Sequence, residues 1–160
     1  MIGHVQSRKI KFIIQHFSFV HTIDRISLAQ KLNQNCETEN KFLPVLIELN
    51  LSGEETKQGY QFSNKVNVDL LINEIEDMKS LRHLELCGLM TMPPLVSEKG
   101  DNRAIFEKCK YLLEEINDKC DLPGFTQLSM GTSQDYEIAI EEGATFIRIG
   151  EAIMGARQYL

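Results

Sequence analysis

The chain has 160 residues, of which 42% are hydrophobic and 25% are charged, and its formal net charge is −6 at pH 7. This composition excludes a disordered or fibrous protein, and the length is enough for one domain with a hydrophobic core. The negative charge argues against nucleic acid as a partner, because the phosphate backbone would be repelled.

The N-terminal part of the chain predicts two strands separated by a helix. Residues 18–23 predict the first strand, and Asp24 then stands where it can cap a helix over 26–32. A polar loop at 34–41 leads to the second strand at 43–50. That strand is apolar at nearly every position, which is typical of a parallel strand buried on both faces.

The alternation of strands and helices continues to the end of the chain. The remaining predicted elements are a glycine-bearing loop at 52–61, a helix at 67–80, a strand at 84–92, a helix at 102–120, a strand at 125–131, a helix at 133–143 and a strand at 145–150. A repeated strand–helix unit predicts a parallel sheet with right-handed crossovers.

The strand count favours a barrel that is not complete. Five clear strands and a short stub at 1–3 are present, and the sequence contains neither GxGxxG nor GxxxxGKS, so the common nucleotide-binding sheets lose support. A complete barrel of eight units needs ~200 residues or more, which leaves this chain about two units short. We therefore predict an α/β fold, a TIM-type (β/α) barrel with about six of eight strand–helix units, as a single domain over residues 1–160.

The cysteine pattern and the hydropathy indicate the compartment. The four cysteines form no CxxC pair and have no histidine at ligand spacing, which is typical of reduced thiols in a cytosolic protein. The N-terminus lacks the pattern of a signal peptide, and no apolar run approaches the ~20 residues that a membrane helix needs. A cytoplasmic protein without membrane contact is the prediction.

Two consecutive strand ends carry residues that suit an anion. Gly131 and Gly150 allow the backbone to come close to a ligand, and Thr132 and Ser133 supply hydroxyl groups. In barrels, the loops after the last two strands often form a phosphate site from such groups. Asp135 is interpreted as a partner for the helix dipole. The alternative is that the glycines are turns, the hydroxyls are caps and the anion is absent.

Other candidate residues have an equally strong structural interpretation. Arg148 lies inside the apolar stretch FIRIG and would point into the barrel mouth, where it either faces a ligand or pairs with an acid. Met90 and Met92 share one side of their strand and either line a ligand pocket or fill the core. His4 and Lys57 lie in loop contexts, where a solvated role competes with a functional one.

The sequence resembles the pyridoxal 5'-phosphate (PLP) homeostasis protein family, whose fold is similar to the N-terminal barrel domain of alanine racemases. Each matching segment is weakly specific alone, but together they fall in order across the whole chain. The segments are IGHVQSRK (2–9), VHTIDR (20–25), LIELNLSGEETKQGY (46–60), GLMTMPP (88–94), LSMGTSQDYEIAIEEGAT (128–145) and IRIGEAIMGAR (147–157).

The resemblance implies roles for the residues of the rim. Ser133, with backbone groups at Gly150 and Glu151, would hold the cofactor phosphate, and Arg148 would face the pyridine nitrogen. A permanent cation there keeps this nitrogen unprotonated, because a second positive charge nearby is disfavoured. The ring is then a weaker electron sink, and the site suits holding or delivering the cofactor.

The family attaches its cofactor as a Schiff base to a lysine at the end of the first barrel strand, and no lysine here matches that position. We expect an N-terminally truncated barrel that binds PLP without a covalent bond, with open sheet edges that favour self-association. The leading hypothesis is a protein of PLP homeostasis that serves PLP-dependent apo-enzymes and has no catalytic cycle. The alternatives are a racemase-like enzyme acting on amino acids and a fragment that binds no ligand.

Overall fold

The computed structural model describes residues 1–54, 57–62, 65–94 and 102–155. A short 3-10 helix at Ser7–Lys9 precedes the first α-helix. The elements are then α1 (Ile10–His16), β1 (Val20–Ile23), α2 (Ile26–Thr38), β2 (Leu43–Asn50), β3 (Tyr60–Gln61), α3 (Lys65–Met78), β4 (Leu84–Thr91), α4 (Arg103–Cys120), β5 (Gln127–Thr132), α5 (Tyr136–Glu141), β6 (Phe146–Arg148) and α6 (Glu151–Met154). No helix within these ranges is long and apolar enough to cross a membrane.

All strand pairs of the sheet are parallel, as the alternating pattern predicts. The order is β1-β2-β4-β5-β6, and the two-residue β3 pairs with the end of β2. The stub at the N-terminus extends the sheet beyond β1. The Met1 ammonium donates to the Phe19 carbonyl at 2.7 Å, and the His21 N–H donates to the Met1 carbonyl at 2.9 Å.

The sheet curls so strongly that its two ends touch through side chains. The Phe146 ring of β6 lies 5.4 Å from the Phe19 ring and 5.1 Å from the His21 ring. These contacts join the first and last strands of the sheet order across its concave face. The predicted TIM-type fold is therefore confirmed as a partial barrel.

The two faces of the sheet carry different chemistry, which follows from the period of two along a strand. On β2, Val45 and Ile47 point outward into the hydrophobic core beneath the helices. Their neighbours Leu46 and Glu48 lie outside that core cluster, although both are buried. Both faces of the strand are buried, and the inner face includes the Glu48 carboxyl, which agrees with a strand that is apolar at nearly every position.

Helix α2 is longer than the predicted helix over 26–32, and the prediction that Asp24 caps it is wrong. Helix α2 runs on to Thr38, because Cys36 continues the buried face of Leu28 and Leu32 at four-residue spacing. Arg25 occupies the N-cap position without a side-chain hydrogen bond. The Asp24 carboxylate contacts the side chains of Arg25 and His4 instead.

The C-terminal boundaries also differ from the prediction. The loop predicted at 52–61 contains β3, and the strand predicted at 145–150 ends at Arg148 and leads into the short helix α6. Helix α5 begins only at Tyr136. The preceding turn is held by Asp135, whose Oδ1 accepts from the Thr132 N–H at 2.7 Å.

Gly131 has a backbone conformation and a close packing that disfavour any side chain at this position. Its φ is +89°, and an added Cβ would lie 2.5 Å from the Ala139 Cβ and 3.0 Å from the Tyr136 Cα. Gly131→Ala should therefore lower the free energy of unfolding by about 3 kcal/mol, through strain and the separation of α5 from β5. Denaturant unfolding measures this, with Gly124→Ala as the control, since nothing lies within 4 Å of that position. Equal effects of the two substitutions would contradict the packing argument.

Candidate functional site

Two strand ends meet at the carboxyl rim of the partial barrel. The Ser133 Oγ, in the turn after β5, accepts hydrogen bonds from the backbone N–H groups of Gly150 and Ala152, both at 3.1 Å. These N–H groups belong to the first turn of α6, where they have no partner within the helix. Two N–H groups therefore converge on the Ser133 Oγ at the rim, and an oxyanion bound beside them could accept from these N–H groups and from the Ser133 O–H.

Arg148 lies below this rim on the inner face of β6, and the barrel fixes its guanidinium. Nη1 donates to the Ser129 Oγ at 2.8 Å, and Nη2 donates to the Thr91 carbonyl at 2.9 Å. The third donor, Nε, is buried without a hydrogen-bond partner among the described residues. Burial lowers the pKa of Arg148, while the carboxylates of Asp135 and Glu48 oppose this.

His21 joins the same network from the opposite side of the barrel. Its Nδ1 lies 3.0 Å from the Ser129 Oγ. Burial, the N-terminal ammonium and Arg148 lower the pKa of His21 to about 4, so the ring is neutral at pH 7. The Ser129 hydroxyl accepts from Arg148 and can either donate its proton to the His21 Nδ1 or accept from it, depending on the imidazole tautomer.

Glu48 is a second charged group on the inner face. It is only 9% exposed, and burial together with Asp24 raises the pKa of its carboxyl to about 7, although Arg148 acts in the opposite direction. No side chain among the described residues donates a hydrogen bond to it. The inner face thus holds a fixed cation and an acid that titrates near neutrality.

Two adjoining cavities open at the rim, and Ile2 lines both. The first measures about 420 Å³ and is lined by Ile2, His21, Phe146, Ile147, Arg148, Ile149 and Gly150. The second measures about 240 Å³ and is lined by Ile2, Gly3, His4, Glu48, Leu49, Lys57, Gln58 and Met92. A third cavity, between α1 and the start of β2, lies away from these residues.

Most of the predicted site residues lie at the rim or beside its cavities. Ser133, Arg148 and Gly150 come together at the rim, and Glu151 follows as the first residue of α6. Met92 lines the second cavity, and Met90 is fully buried.

Two more candidate residues, Gly131 and Lys57, have mainly structural contacts. Gly131 is turned toward α5, so its lack of a side chain serves packing. The Lys57 ammonium pairs with Glu54 and its side chain is 28% exposed, which makes it less solvated than the loop context suggested.

Sequence reasoning missed His21, Glu48 and Ser129. His21 and Glu48 carry the same signal that singled out Arg148, a polar side chain inside an otherwise apolar strand. Ser129 lacks such a signal, because a small hydroxyl in a strand fits many roles. Only the tertiary structure shows that it links His21 to Arg148.

The curled parallel sheet and its outer helices define a partial (β/α)-barrel, with a cluster of N–H and hydroxyl groups at its carboxyl rim. The chain belongs to the alanine racemase N-terminal domain family, whose family model matches residues 1–158.

Several known proteins are similar to this chain. The pyridoxal phosphate homeostasis protein of Vibrio alginolyticus is 40% identical over 158 residues, covering 99% of this chain and 64% of that protein. The protein of the same name from Aquifex aeolicus is 37% identical over 99% of this chain and 66% of its own length. PipY of Synechococcus elongatus, solved with PLP bound, matches with a TM-score of 0.84 at 26% identity over 96% of this chain and 68% of PipY. The chain spans about two thirds of the length of the curated relatives.

Proposed function

We propose that this chain binds PLP without a covalent bond and takes part in PLP homeostasis in the cytoplasm, with no catalytic cycle of its own. The observation that carries the proposal is the convergence of the Gly150 and Ala152 N–H groups on the Ser133 hydroxyl. The names of the curated relatives and the PLP bound to PipY support the choice of ligand. Partners would be PLP-dependent apo-enzymes and, through the outer edge of β6, second copies of the chain.

The residues present fit a phosphorylated ring. The hydroxyl of Ser133 and the two N–H groups would hold the phosphate, as helix N-termini do in other anion sites. Gly150 connects this cluster directly to the larger cavity, whose wall contains Arg148 and His21. The unused Nε–H of Arg148 is a buried donor that a ligand acceptor would satisfy, and buried donors are rarely left without a partner.

Arg148 suits the storage of the cofactor better than its use in catalysis. When bound, PLP supplies an electron sink through its pyridine ring, and that sink is strongest when the ring nitrogen is protonated. A guanidinium fixed by Ser129 and Thr91 would disfavour this protonation if it faces the nitrogen, because it is a permanent positive charge. The rim and the inner face would then hold the cofactor without activating it.

Calorimetric titration with PLP tests this function at the phosphate cluster. Ser133→Ala should weaken PLP binding by about ten- to a hundredfold, because a hydrogen bond to a charged group contributes about 1.5–3 kcal/mol. Ser80→Ala is the matched control, since Ser80 is exposed and lies beyond the end of α3 on the opposite side of the barrel from the rim. If PLP shows no binding to the unchanged chain, or if Ser133→Ala binds as tightly, the proposal is wrong.

A further inference from the structure

Glu48 lies inside the barrel, where the absence of a side chain at Gly59 leaves space for it. Gly59, whose φ is +102°, lies beside it, and a Cβ there would be 3.1 Å from the Glu48 Cγ and 2.9 Å from the Glu48 carbonyl oxygen. The side chain therefore has its position only because residue 59 has none. The carboxyl lines the cavity of about 240 Å³ together with Met92, Leu49 and Ile2.

None of the cationic side chains around Glu48 donates a hydrogen bond to its carboxyl among the described residues. Arg148 donates to Ser129 and to the Thr91 carbonyl. On the opposite side, the imidazole of His4 and the guanidinium of Arg25 both contact Asp24.

The loop after β2 does not supply a partner either, because Lys57 pairs with Glu54. Among the described residues, no group donates a hydrogen bond to the Glu48 carboxyl. An acid that is nine-tenths buried, faces a cavity and has no partner is a group that a ligand donor would satisfy.

We propose that Glu48 receives the protonated primary amine of a ligand that enters this cavity. The inference rests on the proposed function and names the form of ligand that the site prefers: the aminomethyl form of the cofactor, pyridoxamine 5'-phosphate, over forms with an uncharged group at that carbon. A cation is favoured over a neutral hydroxyl because Asp24 adds a second carboxylate nearby, and because His4 and Arg25 contact Asp24 rather than Glu48. The room beside Glu48 is sufficient for such a small group.

The preference should depend on pH. The charged groups that face Glu48 are Asp24 from the turn after β1, Arg148 from β6, and His4 and Lys57 from the cavity wall. With the pKa of Glu48 at about 7, the carboxylate that an ammonium group needs is scarce at pH 6 and abundant at pH 8. The affinity for the amine should rise across that interval.

The test compares two phosphates that cannot react with lysines, pyridoxamine 5'-phosphate and 4-deoxypyridoxine 5'-phosphate. They share the ring and the phosphate, and they differ in whether the carbon at position 4 carries an amine. The unchanged chain should bind the amine about tenfold more tightly at pH 8, the size expected for a charge-assisted hydrogen bond. Glu48→Gln should remove that preference and leave the affinity for the deoxy compound unchanged.

The outcomes separate this inference from the function on which it rests. Glu107→Gln, on the exposed face of α4, is the control and should keep the preference. Equal binding of both compounds to the unchanged chain, or a preference that survives in Glu48→Gln, overturns the amine subsite but leaves PLP binding in place. Failure of both compounds to bind a chain that binds PLP also overturns the amine subsite, whereas failure of PLP itself to bind overturns the proposed function and the amine subsite with it.

Discussion

Replacing Arg148 with methionine should weaken PLP binding by about ten- to a hundredfold. The substitution removes a guanidinium whose Nε–H is buried without a partner among the described residues, and with it a charge that faces the cavity. A hydrogen bond from a charged donor in a buried site contributes about 1.5–3 kcal/mol, which corresponds to that range. The free energy of unfolding should change by only about 1 kcal/mol. The variant loses the hydrogen bonds to Ser129 and Thr91, but it no longer has the desolvation cost of a buried charge.

Two further variants make this prediction specific. Arg148→Lys keeps the charge but loses the planar fork, so it should recover only part of the affinity. Arg82→Met removes an exposed arginine before β4 and should bind PLP normally. Calorimetry measures the affinities, and the absorbance of bound PLP reports the ring nitrogen. An unchanged affinity and spectrum in Arg148→Met would show that the guanidinium does not face the cofactor.

The second large effect is on stability against pH, where His21 and Glu48 act in opposite directions. Burial lowers the pKa of His21 from 6.5 to about 4, so its contribution to stability is present above pH 6.5 and is lost as the pH falls toward 4. The pKa of Glu48 rises from 4.5 to about 7, so its contribution is present below pH 4.5 and is lost as the pH rises toward 7. Each corresponds to about 3 kcal/mol as an upper value, and the two nearly cancel between about pH 4.5 and 6.5.

Single substitutions should expose each half of this balance. His21→Gln removes the contribution that makes the free energy of unfolding rise with pH. Only the contribution of Glu48 then remains, so the free energy of unfolding of this variant should fall by up to about 3 kcal/mol between about pH 4.5 and 7. Glu48→Gln should do the reverse, with stability rising up to about 3 kcal/mol from pH 4 to 6.5. Denaturant unfolding at a series of pH values measures both. Parallel curves for all three chains would mean that neither group is buried as described.

The fold was predictable because hydrophobic periodicity reports burial directly. Residues 43–50 are apolar at nearly every position, and the strand at Leu43–Asn50 has the predicted bounds. The end of α2 was missed because Cys36 is a single buried residue among polar neighbours, and a local pattern cannot show what it packs against. Strand β3 is only two residues long and is defined by its pairing with β2, so its sequence is too short to show a hydrophobic periodicity.

The site was predictable where residues break a pattern or stand at strand ends. Arg148 stands out in an apolar strand, Ser133 and Gly150 follow two consecutive strands, and the resemblance to a family implies their roles toward the cofactor. The hydrogen bonds from Gly150 and Ala152 to Ser133 join residues 17 and 19 positions apart, and they depend on how β5 and β6 lie side by side. The link of His21 to Ser129 spans 108 positions, a distance at which local sequence carries no information.

The most direct test of PLP binding at this rim is a map of backbone and arginine N–H signals by nuclear magnetic resonance, recorded with and without PLP. We expect the largest shifts at the Gly150 and Ala152 amides and at the Nε–H of Arg148, which gains a partner. Shifts confined to the cavity near Phe17 and Phe42, or no shifts at saturating PLP, would contradict the account.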